Sequence, residues 1–244
     1  MKIEIEEQVK KIIEGAFEID DIDEVPSLDD SRLVFGSKGL GFEATVVYVV
    51  LRKPRQILNK HNEITLAKIR IAYFYLIAEI VIPLGGVVRQ AHDDGLYIFF
   101  QGTTQESLNS AVKAAMKVKY MLANDYSRVK KILESYDAVD FAIGIDDGSI
   151  LCVKLGNEQS PLGGLVWSGQ ALNIATEIAD RLEAPNHIGI SELVHYNLTD
   201  AVKYNKLKDK FGHERLNEIW RSASFDYNNE VQKYYHTSFF WTVT

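Results

Sequence analysis

The stretch that most constrains this chain is Ala-Thr-Val-Val-Tyr-Val-Val-Leu at 44–51, β-branched and apolar on both faces. Such a strand is buried on both sides, so it belongs at the centre of a sheet with a layer packed on each face. The surrounding pattern supplies those layers. Residues 63–83 carry Ile64, Ala67, Ile71, Phe74, Ala78 and Ile82 at helical spacing and end near Pro83. Residues 105–124 place Ala111, Ala114, Ala115 and Val118 on one helical face, and 169–182 read as a third long helix containing Asn173. Between the first two lies a hairpin. Gly85-Gly86 opens Val-Val-Arg-Gln-Ala, the turn His92-Asp93-Asp94-Gly95 reverses the chain, and Leu-Tyr-Ile-Phe-Phe returns.

Other segments read more simply. Residues 5–14 predict a short amphipathic helix on Ile5, Val9, Ile12 and Ile13, followed by an acidic linker that contains Pro26 and closes at Asp30. Residues 31–35 predict a short strand, with Gly36, Gly39 and Gly41 marking a loop after it. The segment 140–156 predicts a second hairpin turned at Asp147-Gly148, and 187–191 a short strand before a helix. The polar, aromatic tail from about 204 onward ends in a predicted edge strand. Strands and helices alternate without repeats, so the fold class is α+β with one main sheet. The expected organisation is 1–41 as an N-terminal helix, acidic linker and leading strand, 42–200 as the main unit, and 201–244 as an extension packed on it.

Charge narrows the function. Residues 1–30 hold three lysines and eleven acids against a whole-chain net of −7, so the remainder is close to neutral. That is not the basic footprint of nucleic-acid binding. The run Lys203, Lys206, Lys208, Lys210 reads as a solvated helix face. A single cysteine, Cys152, excludes an internal disulfide and reads as a small buried strand residue. The apolar stretch 69–81 is broken by Arg70 and Glu79, which excludes a membrane span there. No apolar signal core opens the sequence, and a cytoplasmic protein is expected.

Four blocks occur in a characteristic order: ATVVYVVL; GGVVRQAHDDGLYIFF; FAIGIDDGSILCVKLG; and LVWSGQALNIATEIADRLEAPNHIGISELVHYNL. Together they resemble the class III nucleotide cyclase catalytic domain across residues 42–200. The segment SRLVFGSKG, the Leu-Val-Trp before Gly169 and the helix NSAVKAAMKVKYML look most like the Pycsar cyclases, bacterial anti-phage enzymes that make cyclic CMP or cyclic UMP. The resemblance implies a ferredoxin-like, palm-type mixed sheet flanked by helices. It implies attack of a ribose 3′-oxygen on the α-phosphorus, loss of pyrophosphate, and Mg²⁺ or Mn²⁺ held by two carboxylates. It also implies a site completed across a homodimer, or across a heterodimer with an intact cyclase subunit.

Carried onto this chain, the resemblance makes Asp94 a metal carboxylate, with Asp93 beside it where most relatives have glycine. Asn173 becomes the ribose-orienting asparagine. Arg52, Lys53 and Arg55 become phosphate ligands in a loop where Pro54 has no N–H to offer. Gln90 and Val166 fall at the base-reading positions and lack the lysine and the acid or threonine that adenylyl cyclases use there. Trp167 reads as packing. Two positions depart from the family. Val50 stands where relatives carry the first metal carboxylate, and Glu177 where they carry a cation, leaving Arg181 as the candidate replacement. Two functions therefore stay open: a pyrimidine cyclase, or a pseudo-cyclase that binds a nucleotide, or a partner, without a metal.

Overall fold

The computed structural model of the chain describes residues 2–92, 94–136, 140–156, 164–208 and 212–243. In order, the elements are α1 (Lys2–Glu14), β1 (Glu18–Asp21), β2 (Lys38–Arg52), α2 (Pro54–Leu58), α3 (Glu63–Val81), β3 (Gly86–His92), β4 (Gly95–Gln101), α4 (Gln105–Ala123) and α5 (Arg128–Glu134). They continue as β5 (Asp140–Leu155), β6 (Gly164–Ser168), α6 (Gln170–Arg181), β7 (Ile188–Ser191), α7 (Glu192–Asn197), α8 (Asp200–Lys203), β8 (Tyr204–Lys208), β9 (Glu214–Glu218), β10 (Arg221–Tyr227) and β11 (Glu230–Thr237). The main sheet runs β10-β11-β7-β5-β2-β4-β3, with β1 also on β2 and β6 also on β5.

β2 is the centre, as its composition demands. It pairs antiparallel with β4 on one edge and β5 on the other, Val47 facing Ile98 and Ile145. Its two faces feed two cores. Val47, Val49 and Leu51 join Ile143 and Ile145 under α3 and α4, whereas Ala44 and Val46 join Phe99, Cys152 and Trp167 against α6. Trp167 sits between Phe42 and Phe99, ring centroids 5.9 and 4.9 Å away. Cys152 is fully buried. Side-chain caps start the helices: Asn62 accepts from the Thr65 N–H on α3, and Thr104 from the Ser107 N–H on α4.

Six sequence expectations need correction. Residues 140–156 form no hairpin: β5 is one sixteen-residue strand that pairs with β2 on both sides of Gly148, from Asp140 to Val153, and Gly148 takes φ +155° within it. The Asp-Gly pair serves as a kink because β2 is long enough to partner both halves. Residues 31–35 hold turns and one isolated bridge at Val34, while the strand lies earlier, at β1. β1 carries no apolar pattern because it is solvent-exposed, held by backbone pairing and by Lys38 on Asp20 at 2.6 Å. Gly39 and Gly41 lie inside β2, not in a loop. A Cβ on Gly39 would stand 2.9 Å from Leu151, and one on Gly41 2.8 Å from Asp21.

The remaining corrections concern helices and tail. The residues that bury α3 are Leu66, Ile69, Tyr73, Ile77 and Val81, so the predicted stripe of Ile64, Ile71 and Ile82 faces solvent. Lys206 and Lys208 belong to the β8–β9 ribbon, not to a helix, and Lys210 lies outside the described residues. The terminal strand β11 is internal, between β7 and β10, and residues 238–243 leave the sheet. There Phe239 and Trp241 pack on the α4 core, and the Trp241 N–H donates to the Met116 carbonyl at 3.3 Å. Among the described residues no helix is long and apolar enough to cross a membrane.

Candidate functional site

The site begins where β2 ends beside the β3–β4 turn. Val50 faces Gly95 on β4 and Ala142 on β5, and the Leu51 N–H donates to the Asp94 carbonyl at 2.7 Å. Val50 and the turn of Asp94 are thus neighbours, as the resemblance implies. Gly95 has a packing reason to be glycine: a Cβ there would lie 2.7 Å from the Tyr48 hydroxyl. Tyr48 and Tyr97 pack with centroids 4.9 Å apart, and Tyr97 shares a 2.9 Å hydrogen bond with Thr176 on α6. Burial, reinforced by the nearby Tyr97, Asp180 and Asp94, pushes the Tyr48 phenol up to about 12. It is a neutral donor at physiological pH.

Asp94 is held by a cation that the sequence reading did not assign. Arg70, reaching down from α3, donates from Nε to Asp94 Oδ1 at 2.6 Å, with the carboxylate side chain only 18% exposed. The signal was present: Arg70 is the charge that breaks an otherwise apolar helical stretch. Val50 packs with Tyr48, Ala223 and Tyr227 against the apolar cluster under α6. It offers no oxygen. Among the described residues no group of three or more His, Cys, Asp or Glu side chains is placed to hold a metal ion. Among the described residues, Val50 and the Arg70-bound Asp94 do not fit the two-carboxylate clamp that the resemblance implies. Asp93 lies outside the described residues.

α6 lies across the same face. Its approach to β5 is close because Gly144 has no side chain. Asn173 is exposed on the first half of the helix. Glu177 pairs with Arg181, whose guanidinium also bonds the Glu177 carbonyl at 2.6 Å and stacks over Phe225 at 4.3 Å. The replacement cation is thus engaged within its own chain. Arg52 reaches the Asp180 carbonyl at 3.4 Å, and Lys53, at φ +53°, pairs with Asp140 at 3.4 Å. Asp140 also lies 3.8 Å from His187 Nδ1, which bonds the Phe141 carbonyl at 2.8 Å. Burial holds the His187 ring below its usual range. Arg55 stands in the first turn of α2.

Within one chain the predicted groups do not converge. Arg52 marks the C-terminal end of α6, and Asn173 lies seven residues back, about 10 Å of helical rise. Gln90 is on β3, beside a register shift, and Val166 on β6 opposite Val153, with β4, β2 and β5 between them. A second polar centre went unread in the sequence. Asp146, 8% exposed on β5, lines a cavity of about 760 Å³ with Asp147, Ser191 and Lys233. Burial pushes its carboxyl up to about 7.

Comparison with known proteins places this geometry. No family model matches the chain. The chain is 22% identical over 224 residues to a uridylate cyclase of Burkholderia cepacia, covering 91% of each. It is 24% identical over 203 residues to a uridylate cyclase of Treponema porcinum, covering 80% of this chain and 68% of that one. The guanylyl cyclase Cya2 superposes with TM-score 0.66 at 15% identity, covering 83% of this chain and 95% of that one. This is the class III nucleotide cyclase fold. The mixed sheet flanked by helices and the resemblance to Pycsar-type cyclases both hold.

Proposed function

We propose that this chain is a Pycsar-type nucleotide cyclase homologue acting on a pyrimidine nucleoside triphosphate in the cytoplasm. The reaction closes the ribose 3′-oxygen onto the α-phosphorus, releases pyrophosphate and yields a 3′,5′-cyclic monophosphate for anti-phage signalling. The observation that carries this reading is the match to uridylate cyclases, which in one case spans 91% of both chains, on a cyclase fold. In this reading residues 42–200 form the cyclase unit. A homodimer brings Asn173 of one copy to the Val50–Asp94 end of the other, because one chain keeps them apart. Tyr48 is then available to donate to a pyrimidine edge, and Gln90 holds the base-reading position that the resemblance gives it. Arg52, Lys53 and Arg55 supply positive charge to the triphosphate, once Arg52 and Lys53 leave their present partners.

A second reading has its own support. Val50 and the Arg70–Asp94 pair favour a chain that binds nucleotide without turnover and completes the site of an intact cyclase subunit. Equilibrium dialysis with each labelled triphosphate tests what both readings share. UTP or CTP should bind at least roughly tenfold tighter than ATP or GTP, and Asn173→Ala, which removes a ribose contact common to all four, should weaken every one of them while leaving that preference in place. Equal binding of all four, or none, would contradict the assignment.

A further inference from the structure

α3 is apolar on two faces, and only one of them is used. Leu66, Ile69, Tyr73, Ile77 and Val81 pack into the core, whereas Ile64, Ile71, Tyr75 and the following Ile82 are 66%, 69%, 66% and 59% exposed. At 3.6 residues per turn those four side chains fall within an arc of about 40°. Lys68 and Ala78 complete the stripe, giving the alternating spacing of four and three residues that lines a helix–helix seam. An exposed stripe this regular, about 27 Å long, is built for a partner helix.

The order of residues along the stripe says which helix. Read about the level of Tyr73, it is the same in both directions: Ile64 balances Ile82, Ile71 balances Tyr75, and Lys68 balances Ala78. A second copy laid antiparallel therefore matches large apolar residues at the four levels of Ile64, Ile71, Tyr75 and Ile82. It sets Lys68 against Ala78 and beside Glu79 of the second copy. A parallel pair would stack Lys68 on Lys68 instead, at a cost in like-charge repulsion. We propose that α3 is an isologous interface, pairing antiparallel with α3 of a second copy of this chain. The seam lies on the sheet face opposite α6, so it leaves Asn173 uncovered, while Arg70, next to Ile71 on the same helix, stays turned to Asp94. One helix pair buries less than the roughly 800 Å² per partner of a standard interface, so this is a weak, concentration-dependent association.

Paired cysteine variants of the full chain test both the contact and its direction. The native Cys152 is fully buried and stays out of the reaction. Ile64→Cys and Ile82→Cys, mixed and oxidised at tens of micromolar, should give a covalent dimer holding one of each. Either variant alone should give little, because like positions lie at opposite ends of an antiparallel pair. Efficient crosslinking of Ile64→Cys with itself, or none in the mixture, would overturn the proposal. Ile71→Glu/Tyr75→Glu changes only exposed positions, so the fold should survive, as near-UV circular dichroism would record. Sedimentation velocity should then show the loss of one doubling in mass, with at least about tenfold weaker association. An unchanged mass distribution would equally overturn it.

Discussion

Gly144→Ala should destabilise the protein more than any other single methyl addition at a described glycine. A Cβ on Gly144 would stand 1.8 Å from the Ala175 carbonyl oxygen, 2.8 Å from its carbon and 2.9 Å from the Ala179 nitrogen. All three are backbone atoms of α6, so no side-chain rotation relieves the clash. β5 cannot retreat either, because Gly144 is paired with Tyr48 on one edge and Gly189 on the other. The helix must lift, carrying Ala171, Leu172, Ile174, Ala175, Ile178 and Ala179 out of the core. The expected loss is about 3 kcal/mol or more, at or above the usual ceiling for overpacking. Urea denaturation would measure it, and triphosphate binding should weaken in parallel because Asn173 rides on α6. A midpoint unchanged from wild type would show that α6 has slack that the close contact excludes.

Val50→Asp combined with Arg70→Gln should turn the Asp94 corner into a divalent-cation site. The register puts position 50 opposite Gly95, next to Asp94, so an aspartate there sets a second carboxylate beside Asp94. Alone it should do little. Arg70 would still hold Asp94 at 2.6 Å, and an unpaired carboxyl among Tyr48, Ala223 and Tyr227 would take up a proton rather than stay charged, and so would offer no metal ligand. Removing Arg70 alone frees one carboxylate without a second. The double variant should therefore bind Mn²⁺ at least roughly tenfold tighter than the product of the single effects allows. Added metal should also recover part of its lost stability, since a ligand bound only by the native state stabilises it. Titration of Mn²⁺ by electron paramagnetic resonance reads the first effect directly. Additive changes would mean that Arg70 and position 50 do not share a site.

Where structure followed from local signals, the sequence was readable. The uniformly β-branched 44–51 had to be a central strand. The Asp-Gly turn at 94–95 had to be a hairpin once alternating strands flanked it. The same dipeptide at 147–148 misled, because β2 extends far enough to pair with both sides of it and the turn never forms. β1 was invisible for the opposite reason: an exposed edge strand held by backbone hydrogen bonds needs no apolar residues. α3 misled because both of its faces are apolar, and periodicity alone cannot say which one is inside.

The candidate site divides in the same way. That position 50 and Asp94 adjoin was legible from the ordered blocks, as was the absence of an acid at Val50. Arg70 was not legible as its partner, since the pair joins residues 24 apart through the packing of α3 on the sheet. The fates of Arg52 and Lys53 were also hidden. Each is drawn to an acceptor on another element, the Asp180 carbonyl and the Asp140 carboxylate, that only the folded sheet brings near.

The central claim is that this cyclase fold serves a pyrimidine triphosphate, and product identity tests it most directly. The purified 244-residue chain should be incubated with UTP, CTP, ATP or GTP, each with Mg²⁺ and with Mn²⁺, and the products resolved by mass spectrometry. Slow formation of cyclic UMP or cyclic CMP is expected, abolished by Asn173→Ala, with pyrophosphate released in equal amount. Turnover should be slow because Val50 offers no carboxylate and Glu177 no cation. Cyclic AMP or cyclic GMP as the main product, or no cyclic nucleotide from any triphosphate, would contradict it.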